Sequence, residues 1–129
     1  MYTIPRDSQP NAVRVRSAGF WTLEEAAAYS RDLAAALEEC RREAGYVLVH
    51  LDAREALPQS AAVLARLAEV ESILVRTPHD RIAIVAPNGL LKYQFQRLSR
   101  SRQISIFLSP SAAETWLYAH EGASRSAYQ

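Results

Sequence analysis

His50 and Asp52 come closer than any other pair in this sequence to a spacing that does chemistry. In the segment YVLVHLD they stand two apart on what reads as a strand. Both side chains then project to one face about 6.6 Å apart, a separation compatible with sharing a metal ion or a proton. Local spacing supplies no third ligand, because His79 falls in a turn and His120 near a helix end. The simpler reading is a partly buried imidazole beside a carboxylate that closes the strand. Cys40 would be a nucleophile only beside a base in an electropositive setting. It instead continues the apolar stripe of Leu33 and Leu37, as a buried structural thiol does. The segment APNGLL places a helix start after a strand, where an anion is attracted, but lacks the repeated glycines of nucleotide-binding loops. A phosphoryl-accepting receiver domain needs an acidic pair after its first strand and a lysine after its last. Here Ser17, Ala18 and Gly19 occupy the first place, and Leu108 and Ser109 the second. The expectation is a protein with no catalytic residue, no metal and no cofactor.

Charge points to a surface instead. The net charge is +1, so the overall field favours neither nucleic acid nor an anionic membrane. From Lys92 to Arg102 the chain carries Lys92, Arg97, Arg100 and Arg102 and no acid, whereas residues 21 to 44 hold six acids and three bases. The basic run is a candidate surface for an acidic partner or a second copy, and equally a solvated face whose charges complement a helix C-terminus. Tyr93 and Phe95 do not make it a nucleic-acid platform, since Phe95 belongs to an apolar stripe. The single cysteine excludes an internal disulfide. No apolar run approaches the ~20 residues that span a bilayer, and the first ten residues lack an export pattern, so a cytoplasmic location is expected.

The elements that must position these residues alternate. After a Pro-rich stretch, residues 1 to 11, Val13, Arg14, Val15 and Arg16 alternate as a strand with one wet face does. Thr22 and Glu25 form a capping box that starts a long helix, with an apolar stripe through Leu33, Leu37 and Cys40 and a stop at Gly45. YVLVHLD is apolar on both faces, as a central strand requires. Val63, Leu67, Val70 and Leu74 mark a second helix, running to about residue 76 before the break at Thr77 and Pro78. RIAIVA reads as a third strand, and Asn88 caps a helix with Leu91, Phe95 and Leu98 on one face. The chain closes on QISIFLSPSAAETWLYAH, a strand, a helix start at Ser109 and Pro110 or at Ser111 with Glu114, and a tryptophan, Trp116, set to pack that helix on the sheet. This order predicts an α/β fold: one layered domain with a mixed, mostly parallel sheet of four to five strands and about four helices. Residues 12 to 121 form the domain, residues 1 to 11 an N-terminal segment and residues 122 to 129 a tail.

Four segments in this order resemble the STAS-like family, the fold of bacterial anti-sigma-factor antagonists, and in particular its SpoIIAA-like branch. They are the strand leading into FWTLEEAAAYSRDL, the strand ending in HLDARE, RIAIVA before a helix, and ISIFLSPSAAETWL. The resemblance implies a non-enzymatic regulatory module that acts through protein contacts, as a homodimer or with another protein. Antagonists of the family carry an Asp-Ser pair just past the central strand, and its serine is reversibly phosphorylated. Gln59 and Ser60 stand near that place, with Gln in the position of the acid and no glycine in the SAAVLA that follows. Ser60 is thus the candidate phosphoacceptor; from the residues alone it is a helix cap. The fold also resembles in topology that of lipid-exchange domains. This implies, as an alternative, a carrier or sensor of a small apolar or lipid-like ligand in a cavity between sheet and helices.

Overall fold

The computed structural model describes residues 1 to 5, 11 to 99 and 101 to 127. The chain forms β1 (Tyr2–Thr3), β2 (Ala12–Gly19), α1 (Leu23–Ala44), β3 (Leu48–Ala56), α2 (Ala61–Glu69), α3 (Glu71–Leu74), β4 (Arg81–Val85), α4 (Gly89–Leu98), β5 (Ile104–Phe107) and α5 (Pro110–Ala127). The strands lie side by side in chain order in one five-stranded sheet. Strands β2 to β5 are parallel, and β1 joins the edge of β2 antiparallel. The expected α/β class and mostly parallel sheet therefore hold. Two refinements appear: the N-terminal segment contributes a short edge strand, and α5 continues to Ala127, into the residues assigned to a tail.

Each helix start follows from its local sequence. Thr22 and Glu25 make the reciprocal capping box on α1, and Gly45 ends that helix with φ 84°, a left-handed angle at which a side chain is strained. Ser60 and Asn88 each accept a backbone N–H three residues on, and the Ser109 hydroxyl accepts from Ala112 ahead of Pro110 in the first turn of α5. The second helix is broken at Val70, where the amide turns back to Leu67.

Sequential strand order decides the layering. Right-handed crossovers that all step the same way across a sheet place their helices on one face. Accordingly α1 packs on β2, α2 and α3, while α4 packs on β5; α5 covers β3, β4 and β5 from the other side. The core beneath the first group contains Val13, Val15, Leu33, Leu37, Val49 and Ile82. The smaller core beneath α5 joins Leu48, Ala83 and Val85 to Ala113 and Leu117. Trp116 is half-buried there against Phe107, so Ala113 and Leu117 are the deeply buried members of that contact.

At the N-terminal edge of the sheet one buried carboxylate ties three segments together. Asp80 accepts from the amides of Val47, Arg76 and Thr77, each at 2.9 Å, and pairs with Arg41 at 3.0 Å. Burial pushes its carboxyl up, but the three amides and the Arg41 guanidinium outweigh burial and hold it below its ordinary value.

Candidate functional site

Of the pair His50 and Asp52, the carboxylate is engaged in local structure. His50 and Asp52 share the α5 side of the sheet, and the Asp52 carboxylate is gripped by Arg54 through its side chain, at 3.0 and 2.8 Å, and its amide, at 3.1 Å. That guanidinium holds the Asp52 carboxyl below the usual range. His50 is buried, and among the described residues its Nε2 has no hydrogen-bond partner. Among the described residues no three His, Cys, Asp or Glu side chains gather as a metal site would require. Cys40 is fully buried in the main core and presents no thiol to solvent. His79 lies in a turn against the Tyr46 ring. His120 lies within α5, its side chain outside the described residues.

Because β2 to β5 are parallel, their C-termini share one edge, and four helices begin there. That edge is where open α/β sheets present their loops for function. Phe20 follows β2, Leu57 follows β3, Leu90 opens α4 after β4, and Leu108 follows β5; each is more than half exposed, as is Leu23 in the first turn of α1. Neighbouring strands lie about 4.8 Å apart, and the strand order sets these positions one after another along the edge as an apolar row, with Leu57 and Leu90 lining one hollow. A shallow hollow of about 470 Å³ lies within it, lined by Arg54, Leu57, Pro58, Asn88 and Leu90 among others.

Ser60 is exposed on this edge at the N-cap of α2, its hydroxyl accepting from the Val63 amide at 3.2 Å. Gln59 beside it is a strut. Its Oε1 accepts from the Trp21 amide at 2.8 Å, and its Nε2 donates to the carbonyls of Gly19 at 2.9 Å and Leu57 at 2.6 Å. One amide side chain thereby holds the loop after β2 to the loop after β3. A carboxylate there would face the same two carbonyls without a proton to give.

The basic run does not converge. Lys92 sits half-buried in the first turn of α4, near the apolar row, whereas Arg97 lies in the last turn and Arg102 in the turn beyond it, both exposed. Five positions on a helix place Lys92 and Arg97 about 140° apart. Arg100 lies outside the described residues, as does the side chain of Leu98.

A second concavity adjoins the first, sharing Leu57, Pro58, Leu91 and Gln94 with it, and continues along α4. Helix α2 leans on α1 and α4 leans on β5, so neither packs closely over β3 and β4. The gap is a cleft of about 580 Å³, floored by Leu51, Ala53 and Ile84 and walled by Leu64 and Leu67 on one side and Phe95 on the other.

No protein-family model matches the sequence, and no curated protein does. The architecture is similar to that of an uncharacterized DUF3478-family protein with a SpoIIAA-like fold from Shewanella loihica PV-4. The TM-score is 0.64 with 17% identity, over 91% of this chain and 92% of that one. It is similar also to the anti-sigma factor antagonist SpoIIAA in its unphosphorylated form, with a TM-score of 0.51 and 13% identity over 74% of this chain and 82% of that one. The fold is SpoIIAA-like. In this SpoIIAA-like frame the resemblance drawn from the four sequence segments holds at the level of fold. No described helix is long and apolar enough to cross a membrane.

Sequence reasoning had placed Ser60 at a helix start, and the structure adds what surrounds it. Neither the apolar row nor the strut role of Gln59 was read from the sequence. Phe20, Leu57, Leu90 and Leu108 are scattered over residues 20 to 108, and only the parallel topology lines them up.

Proposed function

We propose that this protein is a non-enzymatic, cytoplasmic regulatory module that docks another protein at the C-terminal edge of its sheet. The observation that carries the reading is the apolar row of Phe20, Leu57, Leu90 and Leu108, each more than half exposed at the strand ends. Support of a second kind comes from a similar structure named for antagonism of an anti-sigma factor, an action on another protein. Ser60 lies on the same edge, and we assign it the role of switch. A phosphate on its hydroxyl would lie at the N-terminus of α2, whose first turn carries no acid, and would place about two negative charges beside the apolar row. The test is partner binding by the full chain. Leu57→Asp and Leu90→Asp are expected to abolish it, and Ser60→Asp to change the affinity at least about fivefold, with Ser60→Ala near wild type. Unchanged binding by all three charged variants would refute the docking edge. Sedimentation of the wild type and Leu90→Asp tests whether the partner is a second copy.

The cleft between α2 and α4 favours a second reading, a carrier or sensor of a small apolar ligand.

A further inference from the structure

The floor of the cleft is an incompletely covered part of the sheet's inner face. Across the four parallel strands, Val13, Val49, Ile82 and Ile104 form one register row, and all four are buried. In the next row on the same face, Val15 and Ile106 at the two ends are buried, yet Leu51 and Ile84 between them are only half-buried. A layered α/β sheet normally buries its centre most deeply. Here the two central side chains are left half open because on this face neither α2 nor α4 packs closely over β3 and β4. The volume, about 580 Å³, falls within the range of roughly 300 to 1,000 Å³ typical of small-molecule sites.

The chemistry of the lining narrows the ligand. Apolar side chains dominate it, and the amide of Gln59 is consumed by the loops it joins. Among the described residues that line the cleft, Arg97 is the one that carries a charge. It stands at the far end of α4 from the apolar row, its guanidinium 5.9 Å from the centre of the Tyr93 ring, with no carboxylate partner among the described residues. Trp21 and Tyr29 line the cleft as well, and they belong with Gln59 to the part nearer the loops after β2 and β3. An elongated apolar body along α4, which is about 15 Å long, would therefore end in a head group at Arg97.

We propose that the cleft binds a single-chain aliphatic carboxylate, with its chain over Leu51 and Ile84 and its carboxylate on Arg97. A guanidinium fork matches a carboxylate in two parallel hydrogen bonds. One arginine neutralises one negative charge, so a monoanion fits this apolar setting where a dianionic phosphate ester would remain half uncompensated. The proposal rests on the second reading of function; the cleft adjoins the docking edge, with Leu57 and Pro58 lining both, and its test reads ligand binding rather than partner binding.

The test uses the full chain carrying Trp116→Phe, so that Trp21 in the cleft is the fluorescent reporter. Dodecanoate is titrated below its micelle concentration, alongside its neutral counterpart dodecanol, with calorimetry as a second readout. The expected result is saturable one-to-one binding of dodecanoate, weakened about tenfold by Arg97→Gln, with dodecanol indifferent to that substitution. Leu64→Trp, which fills the cleft, should block both probes; circular dichroism verifies its fold, and the Arg97 comparison stands without it. Equal binding of both probes, or no effect of Arg97→Gln on dodecanoate, would overturn the carboxylate assignment while leaving an apolar site. Binding of neither probe would overturn the cleft as a ligand site altogether.

Discussion

Gln59 offers a sharp test of how the candidate docking edge is built. Replacing it with Ala removes three hydrogen bonds, two of which tie residues 38 and 40 positions away in the chain. At about 0.5 to 1.5 kcal/mol for each bond, and discounting the local, exposed one to Leu57, the loss is about 1 to 3 kcal/mol. This is a large share of the ~5 to 15 kcal/mol that holds a domain together. Urea unfolding followed by far-UV circular dichroism measures it, and an unchanged m-value attributes the loss to the native state. Amide exchange at Trp21 supplies the local readout, since that N–H loses its acceptor and should exchange faster. Gln59→Glu should be worse at neutral pH, because a carboxylate oxygen then faces the carbonyls of Gly19 and Leu57. It should recover in part near pH 5, where protonation restores a donor and the neutral acid is favoured by the fold. A loss below about 0.5 kcal/mol for Gln59→Ala, with Trp21 exchange unchanged, would refute the strut.

Asp80→Asn removes the charge from a buried ion pair and turns a donor toward amides that need an acceptor; it should cost about 3 to 5 kcal/mol in urea unfolding at pH 7. Because the Asp80 carboxyl is held below its ordinary value, its contribution is present above the unfolded carboxylate range, near pH 4, and lost as pH falls further. The wild type should therefore lose stability on acidification more steeply than Asp80→Asn, a difference that thermal melts between about pH 2 and pH 5 would show. Leu117→Ala, in the tight contact under α5, should cost about 2 to 5 kcal/mol, and Trp116→Ala less, about 1 to 3 kcal/mol, because that ring is half-buried. Chemical labelling of Cys40 should proceed only at the rate of unfolding, and fast labelling of the native protein would contradict its burial.

Much of the fold was legible because its signals are local. The Thr22 and Glu25 box, Gly45, Ser60 and Asn88 each act within a few residues, and each sits in the structure where its chemistry requires. Strand β1 was not legible: two residues carry no periodicity, and Tyr2 and Thr3 are held by pairing with Ser17 and Arg16. Nor was Asp80, which looks in sequence like one more polar residue before an apolar strand; only the meeting of α1, β3 and the turn after α3 fills its oxygens. The cleft is the deepest case. Leu51 and Ile84 are apolar members of apolar strands, indistinguishable in sequence from Val49 and Ile82, and what separates them is how two helices lean.

The central claim, that the apolar row at the C-terminal strand ends is where a protein partner docks, is tested most directly by photo-crosslinking in cells of the natural host. A photoreactive phenylalanine analogue placed at Leu57 or at Leu90 should each yield the same discrete protein adduct. Placed at Glu38, exposed on α1 away from that edge, it should yield none. The adduct should also change in yield when Ser60→Asp is added. Absence of any discrete adduct at Leu57 and Leu90, or an equal adduct at Glu38, would contradict the account.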